Sequence, residues 1–381
     1  MTDQQAKPEK RQAAGAVSGR MLSLDVFRGF IMFWIIGNDS IGGAFEHIHK
    51  NGGGAIAAIA GFFAKHLEHP RWEGLVFYDL IFPGFIFIIG ISLVFSLTKI
   101  IQNEGKAAAY KRLIRRFLLL FFLGFIYDEG LANILDENVL CGVLQRLALC
   151  YFLTGLLFIN LNRKGLIALF AAILIGYWAL LSFVPIPGRD EVSFNRHENW
   201  NDYIGEHFTP YKDSDPEGYL STLPAVCSCL LGVFTAFFLR NKEYSQQQKV
   251  LYMLGVGVAM VVIGYLWGLQ FPIVKRLWSP SYLFAAGGYC FVMLALFSQI
   301  VDIWKVQWWT IPFIWLGSNA ITVYMSTNII DYQALAERFV GGQHLAKVFG
   351  IYHPLVISAM SMALSLLLVR WLYNRKLFIR V

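Results

Sequence analysis

Long apolar runs alternate with short polar segments along nearly the whole chain, beginning at residue 22 and ending at residue 373. Most of the runs approach the roughly 20 residues that an α-helix needs to cross the hydrocarbon core of a bilayer. The pattern predicts an all-α, polytopic membrane protein with about ten transmembrane helices and no separate soluble domain. The predicted spans are residues 22–40, 74–98, 114–127, 139–160, 165–184, 222–240, 250–268, 281–300, 310–330 and 353–373.

The amino-acid composition agrees with a chain that lies in lipid. Of the 381 residues, 56% are hydrophobic and only 15% are charged, and 32 are Phe and 11 are Trp. Soluble domains carry about 25% charged residues. The sequence therefore predicts a multi-pass protein that is embedded in the lipid bilayer and has lipid as a partner.

Positive charge is distributed unevenly among the segments that separate the spans. With the N-terminus in the cytoplasm, the inner segments hold about twice as many Lys and Arg residues as the outer ones, in keeping with the positive-inside rule. We therefore expect both termini in the cytoplasm, with residues 1–20 as a disordered tail and residues 21–381 as the transmembrane domain. This topology explains the net charge of +7, so no nucleic-acid partner is expected.

The longest polar segment, residues 185–221, falls on the outer face of this topology. It is rich in Asn, Asp, Glu, His and aromatic residues. Polar groups beside stacking rings suit a carbohydrate, and loops of this length often carry function. The segment is therefore either a lid over a sugar site or an ordinary solvated loop.

Several polar side chains lie inside predicted spans, where an ionisable group costs about 2.5 to 3.5 kcal/mol. Asp25 and Arg28 share a helix face, so they either form a simple ion pair or leave Arg28 facing an inner vestibule. Gln145 and Arg146 lie near the outer end of the fourth span. An unpaired Arg would be costly there, so we expect Arg146 to face a carboxylate or an anionic ligand. Asn319, in the ninth span, is either a ligand group or an interhelical hydrogen-bond partner.

His69 stands at the entrance of the second span, close to Trp72, Glu73 and Asp79. An imidazole exchanges its proton near neutral pH and can act as a base, with Asp79 or Glu73 holding its other nitrogen. Two pairs of closely spaced histidines resemble metal ligands in their spacing. No matching Cys or carboxylate pattern completes such a site, so no metal is expected.

Six short motifs occur in one order across nearly all of the chain after residue 20. They are SLDVFRG at 23–29, HPRWEG with DLIFPGFIFIIG at 69–90, GVLQRL at 142–147, DPEG at 215–218, KRLWSPSY at 275–282 and GSNAITVYM at 317–325. Each motif alone is weakly specific. The series resembles the heparan-alpha-glucosaminide N-acetyltransferase family of transmembrane acyltransferases.

The resemblance implies transfer of an acetyl group from cytoplasmic acetyl-CoA to the amine of a terminal glucosamine, as in heparan sulfate, across the membrane. It makes His69, which precedes the Trp-x-Gly motif, the catalytic histidine, and Asn38 the helper asparagine. The chain lacks the large N-terminal luminal region and leading helix of the family's lysosomal member. We therefore expect a bacterial homologue in the inner (plasma) membrane that acts on an amino-sugar or glycan acceptor.

The residues suit this chemistry. We expect the anionic, phosphate-bearing part of acetyl-CoA to stay at the basic inner face. Its long pantetheine chain would then extend outward into the bundle with the thioester at its end. His69 would deprotonate the attacking amine with Asp79 behind it, and the Asn38 amide would stabilise the oxyanion. The expected CoA-binding residues are Arg28, Arg115, Arg116, Gln145 and Arg146. The expected sugar-binding residues are Trp72, Glu73, Asp39, Lys275, Trp278 and Asn319.

Other interpretations of the same residues stay open. His69 could carry the acetyl group itself, which would give ping-pong kinetics. An O-acyltransferase that modifies hydroxyls of a cell-surface glycan would form an ester labile to mild alkali, whereas an N-acetyltransferase forms a stable amide. A sugar permease would take up its substrate without consuming acetyl-CoA. The sequence is also compatible with a homodimer.

Overall fold

The computed structural model describes residues 21–128, 142–208 and 218–378. Every regular element in these ranges is helical, which confirms the predicted all-α fold. Seven helices within them are long and apolar enough to cross a membrane. The predicted tail, residues 1–20, and part of the predicted outer loop, residues 209–217, lie outside these ranges.

The α-helices of the described ranges are numbered α1 to α14 in chain order. Their bounds are Leu22–Asn51, Gly54–Leu67, Ile81–Asp128, Val143–Asn160, Arg163–Phe183, Trp200–Phe208, Thr222–Arg240, Gln246–Gly268, Pro280–Phe297, Ile311–Ser318, Ala320–Ile329, Tyr332–Val340, Gln343–Phe349 and His353–Asn374. A 3₁₀ turn, Phe77–Leu80, leads into α3, and a π-helical turn, Ser298–Ile303, follows α9. Each predicted span coincides with one of these helices, with part of one, or with a consecutive pair.

The second and third predicted spans are the two limbs of α3, which meet at Gly105. The φ angle there is +85°, in the region that favours glycine. The first limb packs against α7, where Arg240 donates a hydrogen bond of 2.9 Å to Thr98 Oγ1. The second limb packs against α4, where Tyr110 donates a bond of 2.7 Å to Asn160. The break therefore sends the two limbs to different neighbours.

The hairpin formed by α1 and α2 is larger than the sequence predicts. Helix α1 continues to Asn51, well beyond its predicted end at residue 40, and after Gly52 and Gly53 helix α2 begins where no helix was predicted. With 14 residues, α2 is too short to cross a bilayer, so hydropathy does not mark it. Asn38 in α1 donates a bond of 2.9 Å to the Leu67 carbonyl at the end of α2. This bond fixes the start of the segment that carries His69.

Close helix crossings in the core depend on glycine. A Cβ atom on Gly90 of α3 would overlap the backbone of Cys229 in α7, and one on Gly232 would overlap the Phe87 carbonyl. Small residues allow such approaches between membrane helices, where packing replaces the hydrophobic effect. The α3–α7 crossing lies in the core of the bundle, since the most apolar stretch of each helix is largely buried.

The ninth predicted span is divided into α10 and α11 at Asn319. The backbone leaves helical geometry there, with φ −124° and ψ 34°. Broken helices occur at membrane depth where protein surrounds the irregular backbone, and Asn319 is only 1% exposed. The break places a buried amide group inside the bundle.

Candidate active site

Two segments meet at one end of the bundle to form the site. One runs from α2 to α3 and carries His69, and the other runs from α8 to α9 and carries Lys275. The Gly74 amide donates a backbone bond of 2.9 Å to the Ile273 carbonyl and so joins them. The φ angle of Gly74 is +131°, which a residue with a side chain rarely adopts. This backbone hydrogen bond explains how His69 and Lys275, which are far apart in the sequence, become neighbours.

His69 is paired with Asp79. Its Nδ1 lies 2.6 Å from Asp79 Oδ1, and the His69 side chain is 44% exposed whereas that of Asp79 is fully buried. The other carboxylate oxygen accepts a bond of 3.1 Å from the Val76 amide. Tyr282 donates a bond of 2.7 Å to the Asp79 carbonyl. Hydrogen bonds thus fix both the side chain and the backbone of Asp79, while part of the His69 imidazole remains exposed to solvent.

Lys275 completes the group. Its Nζ lies 3.1 Å from His69 Nε2 and 3.8 Å from Asp79 Oδ1. Lys275 was predicted as a sugar-binding residue, and the structure brings it into contact with the predicted base. The three side chains form a triangle in which each contacts the other two.

Tyrosines around the pair were not predicted. The Tyr78 ring stacks on His69 with centroids 4.7 Å apart, and Tyr127 and Tyr324 stack on each other at 4.2 Å. A signal for two of the missed residues was available in the motifs. Tyr78 directly precedes Asp79, and Tyr282 ends the motif that begins at Lys275.

Asn38 and Asp39 lie on α1 beside the His69 segment. Asn38 is buried, and its Nδ2 bonds to the Leu67 carbonyl at 2.9 Å and to Asp39 Oδ1 at 3.4 Å. Its Oδ1 is buried with no hydrogen-bond partner among the described residues. Asp39 is exposed. Asn38 therefore supports the His69 segment through backbone contact.

Trp72 and Glu73 have different surroundings. Trp72 Nε1 donates a bond of 2.8 Å to the Phe194 carbonyl, which ties the His69 segment to residues 185–221, the predicted outer insert. Glu73 is exposed, and within the ranges that the structure covers it makes no hydrogen bond or ion pair. Of the two carboxylates proposed to hold His69, Asp79 is the one in contact.

The described part of the outer insert is folded. It contains α6, and Asn201 in that helix donates a bond of 3.2 Å to the Arg276 carbonyl, next to Lys275. At its tip, hydrogen bonds from Ser193 and then Arg189 hold the pKa of the Glu198 carboxyl below its usual value. The insert therefore contacts both segments that form the site.

Arg146 is fully buried and anchored to outer segments. It donates a bond of 2.7 Å to the Gly218 carbonyl and also bonds to Ser221. Its guanidinium lies 5.2 Å from the centroid of Trp278, which is itself buried and donates to Ser228 at 3.0 Å. Trp278 has a φ of +48°, unusual for a residue with a side chain. These contacts join α4, α7 and the Lys275 segment.

The side chain of Gln145 is also fully buried, and it packs against Gly124 of α3. Gln145 and Arg146 were predicted to bind CoA together with Arg28, Arg115 and Arg116. The structure shows no contact that joins the Arg146 cluster to Arg28, Arg115 or Arg116 within the described ranges.

The remaining predicted basic residues differ in environment. Arg28 contacts Asp25 at 3.5 Å and donates to Ser92 at 2.7 Å. Arg115 is exposed. Arg116 instead reaches inward, 4.5 Å from the centroid of Tyr151, halfway along α4. Its Nε is buried with no hydrogen-bond partner in the described ranges.

Two other side chains within predicted spans also have buried polar atoms that lack hydrogen-bond partners in the described ranges. The Tyr151 hydroxyl and both polar atoms of the Asn319 amide are buried without hydrogen-bond partners among the residues that the structure describes. Buried polar atoms are normally paired, so each such atom needs an explanation. A polar ligand inside the bundle would supply one.

The other histidines lack a comparable partner set. His66, for example, lies in the last turn of α2 and packs against Phe62 with centroids 4.5 Å apart. The described residues contain no group of three or more His, Cys, Asp or Glu side chains arranged to hold a metal ion. His69 differs from His66 because it contacts both a buried acid and a cation.

Comparison with known proteins gives consistent matches. A family model described as heparan-alpha-glucosaminide N-acetyltransferase, catalytic, matches residues 58–266. Heparan-alpha-glucosaminide N-acetyltransferase of Homo sapiens is 25% identical over 96% of this chain and 60% of its own length. The protein of the same name from Mus musculus is 25% identical over 98% of this chain and 62% of its own length. The chain thus spans less than two thirds of these relatives.

Proposed function

The chain belongs to the heparan-alpha-glucosaminide N-acetyltransferase family, and from this premise we propose that it transfers an acetyl group from acetyl-CoA to the amine of a glucosamine-type sugar. The observation that carries the proposal is the 2.6 Å contact between His69 and the buried Asp79 at an exposed edge of the bundle. A base oriented by a buried acid is an arrangement that can catalyse acylation of an amine, because it removes a proton from the attacking nitrogen.

In this reaction His69 acts as the general base. Asp79 accepts the Nδ1 hydrogen, which leaves the Nε2 lone pair to take a proton from the acceptor amine. The amine nitrogen forms a bond to the thioester carbonyl carbon, and the C–S bond then breaks. The CoA thiolate leaves and takes up a proton, which the His69 imidazolium can return. The Asp79 carboxylate stabilises that imidazolium while it exists.

We favour direct attack over an acetyl-histidine intermediate. His69 lies on an exposed segment, where a reactive acetyl-imidazole would be open to water. A donor and an acceptor held together need no such intermediate, because proximity supplies much of the acceleration. Asn38 remains the proposed oxyanion donor, since its bond to Asp39 at 3.4 Å is long enough to be exchanged for a stronger one.

The two substrates are proposed to approach from opposite sides. Acetyl-CoA would enter from the basic cytoplasmic face and extend past Arg116, while the sugar would bind at Trp72, Glu73, Asp39 and Lys275 beneath the insert. Residues 21–381 would act as one transmembrane acyltransferase domain, in the bacterial inner membrane. The Trp72–Phe194 bond supports a role for residues 185–221 as a cover over the acceptor.

Acetyl-CoA turnover by purified protein over a panel of amino sugars tests this proposal. We expect glucosamine-type amines to yield an alkali-stable amide. His69→Ala should lower turnover by about 10²- to 10⁴-fold, as loss of a general base does. His66→Ala, three residues earlier on α2, is the matched control and should retain activity.

Three results would contradict the proposal. An alkali-labile product would indicate O-acylation, and sugar uptake without CoA release would indicate a permease. Near-normal turnover in folded His69→Ala would remove this residue from the mechanism.

A further inference from the structure

Lys275 places an ammonium group against the nitrogen that must accept a proton. Its Nζ lies 3.1 Å from His69 Nε2 and 3.8 Å from Asp79 Oδ1, and its side chain is 21% exposed. A lysine ammonium offers only hydrogen-bond donors. In this contact His69 Nε2 is therefore the acceptor and carries a lone pair.

The two contacts of the ring together define its tautomer. The Asp79 carboxylate offers only acceptors, so Nδ1 carries the hydrogen that bridges the 2.6 Å separation. A doubly protonated ring would set an N–H group against the Lys275 ammonium at 3.1 Å. Like charges at this distance disfavour the second charge. The contacts therefore favour a neutral imidazole.

Asp79 alone would have the opposite effect. Its side chain is fully buried, so its negative charge is poorly solvated and needs a positive partner. Without a cation nearby, a proton on His69 would supply that partner and would convert the base into an imidazolium. Lys275 offers the positive charge instead.

We propose that Lys275 is a positioning residue that keeps His69 neutral, with its lone pair on Nε2, at pH values where a His–Asp pair alone would be protonated. An acceptor ammonium presents the same kind of donor to Nε2, so it can replace Lys275 there without changing the tautomer. The catalytic consequence rests on the proposed function. The charge state of the ring does not, and it can be measured without turnover.

Other titratable groups near His69 affect the charge of its ring less than Asp79 and Lys275 do. The Tyr78 ring stacks on the imidazole. The charged neighbours along the segment and on α1 are exposed, where solvent and salt screen them. Besides Asp79 and Lys275, no side chain of the described residues hydrogen-bonds to the ring. These neighbouring groups are Tyr78, Glu68, Arg71, Glu73 and Asp39.

The first experiment measures His69 directly in the full-length protein. Ring nitrogens of ¹⁵N-histidine are followed by NMR in lipid nanodiscs, and His69→Ala assigns the signal. The wild-type ring should be the neutral Nδ1–H tautomer at pH 7. In Lys275→Gln, which keeps a donor but loses the charge, the ring should take up its second proton about one pH unit or more higher.

Two further variants control for general effects of charge. Lys275→Arg keeps the cation and should titrate as the wild type does. Lys347→Gln removes an exposed lysine on α13 and should also leave the titration unchanged. A wild-type imidazolium at pH 7, or equal titration of wild type and Lys275→Gln, would overturn the proposal. A wild-type imidazolium at pH 7 overturns the proposal even if Lys275→Gln does not fold.

The second experiment follows the pH dependence of kcat/KM for acetyl transfer. The acidic limb of Lys275→Gln should move to higher pH by the same amount, so the loss of activity is largest at low pH and recovers as pH rises. A uniform loss at all pH values would indicate a merely structural role and would contradict the proposal. If the wild type transfers no acetyl group, the proposed function fails, and NMR still decides the charge state.

Discussion

Arg116 shows how one half-buried side chain can indicate a ligand. Its guanidinium packs over Tyr151, and its Nε is buried without a hydrogen-bond partner in the described part of the chain. An unpaired buried donor costs about 1 to 3 kcal/mol, which a ligand with acceptor oxygens would offset. Acetyl-CoA carries such oxygens on its phosphates and amide groups. Arg28 already has Asp25 and Ser92 as partners.

We therefore predict that Arg116→Gln raises the KM for acetyl-CoA by about tenfold or more while kcat changes little, because binding common to ground state and transition state is lost. The neighbouring Arg115 is exposed, and Arg115→Gln should change neither constant. Initial rates at saturating acceptor measure both, and thermal unfolding shows whether each variant is folded. Equal effects of the two substitutions would instead indicate a general role of surface charge.

The sequence predicts part of the site at this scale. His69 and Asp79 lie ten residues apart on one segment, so their proximity was a reasonable expectation. The choice of Asp79 over Glu73 depends on the 3₁₀ turn before α3, which the residue pattern does not reveal. Lys275 is 206 residues from His69. Only the path of the whole chain brings these two together.

At the scale of helices, the crossing of α3 and α7 is set by Gly90 and Gly232. A Cβ on Gly90 would meet the Cys229 carbonyl, which is backbone and cannot rotate away. The helices must then separate or shift, and overpacking of this kind costs about 1 to 3 kcal/mol. Gly255 of α8 offers a comparison, because a Cβ there meets nothing within 4 Å.

We predict that Gly90→Ala lowers the unfolding temperature of the protein in detergent, whereas Gly255→Ala leaves it unchanged or raises it slightly. Cys227, Cys229 and Cys290 are free and buried, so a thiol-reactive dye reports unfolding of the bundle. The two curves are compared with that of the wild type. If both variants melt together, close packing at Gly90 does not limit stability.

Sequence patterns predict long helices better than short or broken ones. The hydropathy of α7 and α8 is continuous over a bilayer thickness, and both were predicted with nearly the observed bounds. Helix α2 was missed because its 14 residues are too few for a span. The break at Asn319 was missed although Gly317 and Ser318 precede it, because the apolar residues before and after this short segment together have the length of a single span.

Across the whole molecule, the residues proposed to bind the two substrates lie at different depths. His69 and Lys275 lie on segments at one end of the bundle, joined there to the outer insert. Arg116 lies eleven residues beyond the break at Gly105, or about 16 Å along the helix. A long donor molecule lying along this direction could contact Arg116 and still present its reactive end to His69.

This arrangement predicts that the donor and acceptor are used from opposite sides of a sealed membrane. Acetyl-CoA is anionic and stays on the side where it is supplied, so vesicles with protein of known orientation can separate the two substrates. Lys242→Cys, between α7 and α8, and Lys347→Cys, on α13, replace exposed lysines and report orientation through an impermeant thiol reagent. Both variants should retain wild-type activity in detergent, which serves as the control.

We expect acetylated sugar on the Lys347 side only when acetyl-CoA is supplied on the Lys242 side, because the positive-inside rule predicts that Lys242 faces the cytoplasm. The physical reason is that the thioester end of acetyl-CoA must enter the bundle while the charged phosphates of the same molecule stay in water. Opening the vesicles with detergent should make the side of addition irrelevant. Full product formation in sealed vesicles with both substrates on the Lys347 side would show that the donor reaches His69 from the outer face, and the proposed path past Arg116 would then be wrong.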